Sequence, residues 1–175
     1  MKTRAQLILS IARTIALIGY IGAVIHAVRI VVPFVIGFFT DRFPVSTGTN
    51  LDHLRDNHNL FPYISLIIFA ISIAIIQIEI WQMLRKILAE IDLSSPFTTD
   101  VAVMIEKMSS IILSSWIVSY IADFSLNQFA KVVDGIHGNP FKTDFQYLFF
   151  AGIIYVVAQI FKRGVELQEE SDLTV

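Results

Sequence analysis

Phe61-Pro62-Tyr63-Ile64-Ser65-Leu66-Ile67-Ile68-Phe69-Ala70-Ile71-Ser72-Ile73-Ala74-Ile75-Ile76-Gln77-Ile78-Glu79-Ile80-Trp81 carries a single charged side chain, Glu79. As a helix it covers about 30 Å at about 1.5 Å per residue, which matches the hydrocarbon thickness of a bilayer. The same character recurs on both sides of it, over 7–39, 103–128 and 145–161. Four spans follow. The whole chain agrees: of 175 residues 55% are hydrophobic and 16% charged, against about 45–50% and about 25% in soluble domains. Mean hydropathy is +0.67. The chain has no cysteine, which excludes disulfides, thiolate nucleophiles and cysteine-held metal, and a net charge of −2 offers nothing for direct nucleic-acid binding.

The reading is an all-α membrane protein, a four-transmembrane-helix bundle in one integral domain over 1–175, with a cytoplasmic helical extension between helices 2 and 3. Helices are expected over about 7–39, 61–92, 99–129 and 145–162, outer loops over 40–60 and 131–144, and a cytoplasmic tail over 163–175. Pro33 is expected to kink or end the first helix, leaving 30–39 at the outer interface. A cleaved signal peptide is the competing reading of the N-terminus, but no short apolar region with a small-residue cleavage site follows Arg4. With both termini cytoplasmic, Lys2, Arg4, Arg13, Arg85, Lys86, Lys107, Lys162 and Arg163 lie inside, and only Arg42, Arg55, Lys131 and Lys142 lie outside. That asymmetry orients the chain with both termini on the cytoplasmic side.

Past Trp81 the pattern changes: Leu84, Ile87, Leu88 and Ile91 recur at helical spacing, with Arg85, Lys86, Glu90 and Asp92 on other faces. The second helix therefore runs on beyond the membrane. Ser94-Ser95-Pro96-Phe97-Thr98-Thr99-Asp100 breaks it and restarts the chain as a helix, with Ser and Thr available to cap exposed amides. Val101, Met104, Ile105 and Met108 form the matching stripe. Two helix ends lying at the lipid interface would explain this; so would a hairpin that docks a partner.

The segments Leu84-Arg85-Lys86-Ile87-Leu88, Ser95-Pro96-Phe97-Thr98 and Gly164-Val165-Glu166-Leu167-Gln168-Glu169-Glu170-Ser171-Asp172-Leu173-Thr174-Val175 resemble a bacterial membrane family known as domain of unknown function 2975. The resemblance covers most of the chain and is most specific in the tail. It implies four helices in the bacterial inner membrane and a gene that often neighbours a small helix-turn-helix regulator. It assigns no catalytic residues.

Ionisable groups at membrane depth are the first functional candidates, because each is costly unless paired or hydrated. Arg29 lies about 24 Å outward from Arg13, and Asp123 the same distance outward from Lys107. With His26 and Asn127 one turn away, the four are expected to form a polar cluster. An ion pair that fixes packing is the plainer reading; a pH-responsive or ion-conducting site is the sharper one. Gln77, Glu79 and Gln159 reach a common depth near the inner face. There, amide hydrogen bonding between helices and snorkelling of Glu79 suffice as an explanation. Asp52, His53, Asp56 and His58 could hold a divalent metal, but Arg55 sits among them and a solvated loop explains them as well. Gly19 with Gly22 beside Ala23, and Ser65, Ala70, Ser72 and Ala74, read as close helix packing. Phe61, Tyr63, Trp81, Tyr147 and Phe161 read as interfacial anchors.

No phosphate loop, HExxH or GxSxG is present, so no enzyme and no cofactor is expected. The favoured reading is a membrane regulatory subunit. Its partner-binding residues would be Leu84, Ile87, Leu88, Ile91, Glu166, Glu169, Glu170 and Asp172, and its partner a cytosolic protein such as a helix-turn-helix regulator. The alternative is a small transporter or channel component acting as a homo-oligomer.

Overall fold

A computed structural model describes residues 4–40, 51, 54, 60–93, 97–133, 139–142 and 144–172. Among the described residues the regular structure is helical, and four long helices are present: α1 (Arg4–Thr40), α2 (Leu60–Glu90), α3 (Thr99–Phe129) and α4 (Phe145–Asp172). Among the described residues there is no strand. All four are long and apolar enough to cross a membrane, and only 11% to 28% of each apolar stretch is buried inside the protein. Isoleucine, valine and phenylalanine side chains cover the remainder, a surface that hydrocarbon tolerates and water does not.

Two expectations about helix ends change. α1 passes through Pro33 and continues to Thr40. The proline removes one backbone hydrogen bond there, but the helix around it is otherwise built from apolar residues that sustain it in lipid. α4 does not end at 162 but runs to Asp172, so the tail is largely helix. Glu, Gln and Leu are good helix formers, and an Arg163–Glu166 pair supports the turn at i, i+3.

The contacts divide the chain into two compact units. The first comprises Met1–Ile21, Glu79–Ser114 and Phe145–Val175; the second comprises Gly22–Ile78 and Ser115–Asp144. In the first unit Met83 and Ile87 of α2, Val101 and Ile105 of α3 and Ala158 of α4 form the core. In the second, Tyr63, Leu66 and Ile67 of α2 pack with Ala122 and Leu126 of α3, together with Leu51, Leu54 and Phe141 from outside these four helices. Tyr63, at 0% exposure, is therefore a core residue and not an interfacial anchor. A second cluster joins Ala27 and Ile30 of α1 to Ala74 of α2, where small side chains let the backbones approach. Ser65 and Ser72 donate to the carbonyls of Phe61 and Ile68 one turn earlier, so their hydroxyls are satisfied within the helix.

Candidate functional site

The first unit concentrates the links between helices that involve charge. α2 ends with Ile91 N donating to Ile87 O, which leaves later carbonyls of the last turn without helical partners. Arg13 of α1 supplies donors: its Nε reaches Leu88 O at 2.7 Å and its Nη2 reaches Ala89 O at 3.3 Å. A cation at a helix C-terminus also meets the negative end of the dipole. One turn back on α2, the Arg85 guanidinium lies 4.7 Å from the centre of the Tyr20 ring, a cation–π contact. Nearby, Gly19 accepts the face of Trp81, and any β-carbon at that position would collide with the indole. Gly22, by contrast, has open space around its α-carbon, so close packing falls on Gly19 alone of the two glycines.

The break between α2 and α3 closes onto α4. Thr98 Oγ1 accepts from Val101 N at 3.3 Å, the capping bond expected from a threonine at this place. Phe97 lies with its ring centre 5.2 Å from that of Phe161 and covers Gly164. A β-carbon at Gly164 would stand 2.7 Å from Phe97 Cδ1, so only glycine leaves the ring its seat. Lys162 Nζ, two residues before Gly164, donates to Glu106 Oε2 of α3 at 2.7 Å. Phe161, read from sequence as an anchor, is thus part of this closure.

These contacts correct the expected docking surface. Ile87 is 5% exposed, and Leu84, Leu88 and Ile91 are half-buried. The stripe is covered because Val101 and Ile105, with Met104 and Met108 beside them, pack against Ile87 and Ile91. Ile87 and Ile91 thus belong to the internal core, while Leu84 and Leu88 stay half-buried beside it. The acidic residues behave otherwise: Glu166, Glu169 and Glu170 are exposed on the last turns of α4, and Glu166 Oε2 accepts from Arg163 Nη1 at 2.6 Å.

The intramembrane cluster is assembled differently from the sequence expectation. Asp123 Oδ1 accepts from Asn127 Nδ2 at 3.2 Å and from Asn139 Nδ2, and no hydrogen bond or ion pair joins Asp123 to Arg29 among the described residues. Asn139 Oδ1 in turn accepts from Phe141 N at 2.9 Å. Asp123 therefore ties the chain after α3 to that helix and brings Phe141 into the core. Two neutral amides thus donate to one oxygen of this carboxylate, where the sequence pointed to an arginine. His26 and Arg29 are exposed on α1. Gln77 and Glu79 are exposed as well, and the half-buried Gln159 has no hydrogen-bond partner for Nε2 among the described residues. Asp52, His53, Asp56 and His58 lie outside the described residues. Among the described residues no group of acids and histidines is placed to hold a metal.

Three features of the site escaped the sequence reading. Glu106 was legible as the only carboxylate in the interior of α3 before Asp123, a place where a partner is to be sought. Asn139-Pro140 is a recognised turn signal whose side chain caps local amides. The capping role of Arg13 had no local signal, because its acceptors are backbone carbonyls 75 and 76 residues away.

Apolar helices of this length, with most of their apolar surface turned outward, define a multi-pass membrane protein. Residues 17–175 match the family model described as Protein of unknown function (DUF2975), and the chain belongs to that family. Comparison with curated proteins and with solved structures finds no match.

Proposed function

We propose that this protein is a regulatory subunit of the bacterial inner membrane, with both termini cytoplasmic, that holds a basic cytosolic partner on the last turns of α4. The observation that carries this reading is the exposed acidic end of a continuous helix. Glu166, Glu169 and Glu170 stand three and four residues apart and so share one helical face. The root of that helix is fixed by Phe97 on Gly164 and by the Lys162–Glu106 pair. A rigid acidic face steers a basic surface at little ordering cost, and a small helix-turn-helix regulator must carry such a surface to bind DNA. A regulator held through that surface is withheld from DNA.

The test is co-purification of the full chain with a small helix-turn-helix regulator, of the kind the family resemblance implies as a gene neighbour, across a salt series. Retention should weaken as salt rises and be lost in Glu166→Gln/Glu169→Gln/Glu170→Gln, which preserves helix-forming residues. Unchanged retention and unchanged salt dependence in that variant would remove the reading.

A further inference from the structure

We propose that the groove between α1 and α2 of the first unit binds a phosphate anion, of the kind carried by an acidic lipid headgroup or free in solution. The groove has a volume of about 400 Å³ and is lined by Arg13, Leu17, Gln82, Arg85, Lys86 and Ala89. Three cations and an amide converge there, and no aspartate or glutamate is among the lining side chains. The α2 carbonyls that accept from Arg13 offset about half a charge.

The cations are held in place by contacts that leave donors free. Arg13 engages Leu88 O and Ala89 O through two of its nitrogens, and the third, Nη1, has no hydrogen-bond partner among the described residues. The Arg85 guanidinium carbon lies 4.7 Å from the centre of the Tyr20 ring, and an aromatic face leaves the hydrogen-bonding capacity of a guanidinium unspent. Lys86 is exposed and adds a mobile ammonium. Fixed guanidinium edges and a flexible ammonium suit tetrahedral phosphate oxygens, where bidentate donation adds direction to charge. A lipid source has a further fit, because Leu17 forms one wall and Ile18 and Ile21 of α1 are exposed beside it to meet acyl chains. Basic pockets between membrane helices at the headgroup level hold acidic lipids on this principle.

The experiment titrates phosphatidylglycerol into phosphatidylcholine micelles containing the purified full-length chain, reading the rise in melting temperature as apparent affinity. A parallel arm adds inorganic phosphate at matched ionic strength with chloride as its control. Saturable stabilisation by phosphatidylglycerol, weakened about five-fold by Lys86→Gln, is the expected result for one basic contact near a membrane surface. Lys107→Gln removes an exposed charge from the same unit outside the groove and should leave the titration unchanged. Arg85→Gln should weaken it at least as much as Lys86→Gln. If phosphate alone stabilises with the same dependence on Lys86, the site takes the free anion; if only the lipid does, it takes the headgroup. The proposal falls if neither ligand stabilises beyond its control, or if Lys86→Gln and Lys107→Gln behave alike. Lys86 lies outside the core cluster, so a lowered melting point without ligand is not expected, and the ligand-free melt checks this. These readouts use no cytosolic partner and so stand or fall separately from partner docking.

Discussion

In the first unit Arg13, Arg85 and Lys162 each reach from one helix to another, to carbonyls, a tyrosine ring and a carboxylate. In the second unit the corresponding work falls to apolar side chains around Tyr63, Leu66 and Leu126, and Asp123 serves to pin a connecting segment. The contrast follows from solvent. A link made of charges escapes most of the desolvation penalty where its ends are partly hydrated, as the partly exposed Lys162 and Glu106 are, and its strength is then modest. A dry contact in lipid gains little from hydrophobicity, since lipid tails are as apolar as leucine, and depends on close packing. The second unit should accordingly be sensitive to lost volume, and the first to lost geometry.

Tyr63→Ala tests the first half most severely. It empties a fully buried ring site, and the detergent-solubilised protein should lose about 3–5 kcal/mol, read as a lowered melting temperature. A loss below 1 kcal/mol would mean that the second unit is not held by that core. Gly164→Ala tests the other half: its β-carbon displaces Phe97, at a cost of about 1–3 kcal/mol typical of overpacking. In a Phe97→Ala background the same change should become stabilising by about 0.5–1 kcal/mol, because alanine is the better helix former. Additive effects in that cycle would show that the ring and the glycine are not coupled.

Smaller effects sharpen the picture. Glu106→Gln should cost about 1 kcal/mol, discounted because the two side chains are 33% and 38% exposed. The double variant Glu106→Gln/Lys162→Met should cost less than Glu106→Gln alone, since it leaves no ammonium without a partner. The reverse order would argue that the pair is ornamental. Arg163→Gln breaks a pair open to solvent and should leave the melting temperature unchanged, although salt-dependent binding of a partner would shift. A clear destabilisation there would place Arg163 with the structural cations.

The spans were legible because length and apolarity suffice to specify a membrane helix: 99–129 coincides with α3, and the other starts lie within a few residues of those expected. The cap at Thr98 was legible for a similar reason, since its acceptor and donor are three residues apart. What covers a face was not. The stripe Leu84, Ile87, Leu88, Ile91 has the same periodicity whether a partner, lipid or the chain itself lies against it, and tertiary packing against Val101 and Ile105 decided for the last at Ile87 and Ile91. Depth arithmetic placed Arg29 and Asp123 at one height but could not supply rotation about the helix axes, and Asn139 took the carboxylate instead. Sequence alone therefore determined that this is a four-helix membrane protein whose acidic residues gather after Gly164, because composition and local spacing act along the chain. Only the tertiary structure decided that Phe97 sits on Gly164, that Arg13 closes α2, and that three cations share one groove, because those relations join residues far apart in sequence through the rotation and approach of whole helices.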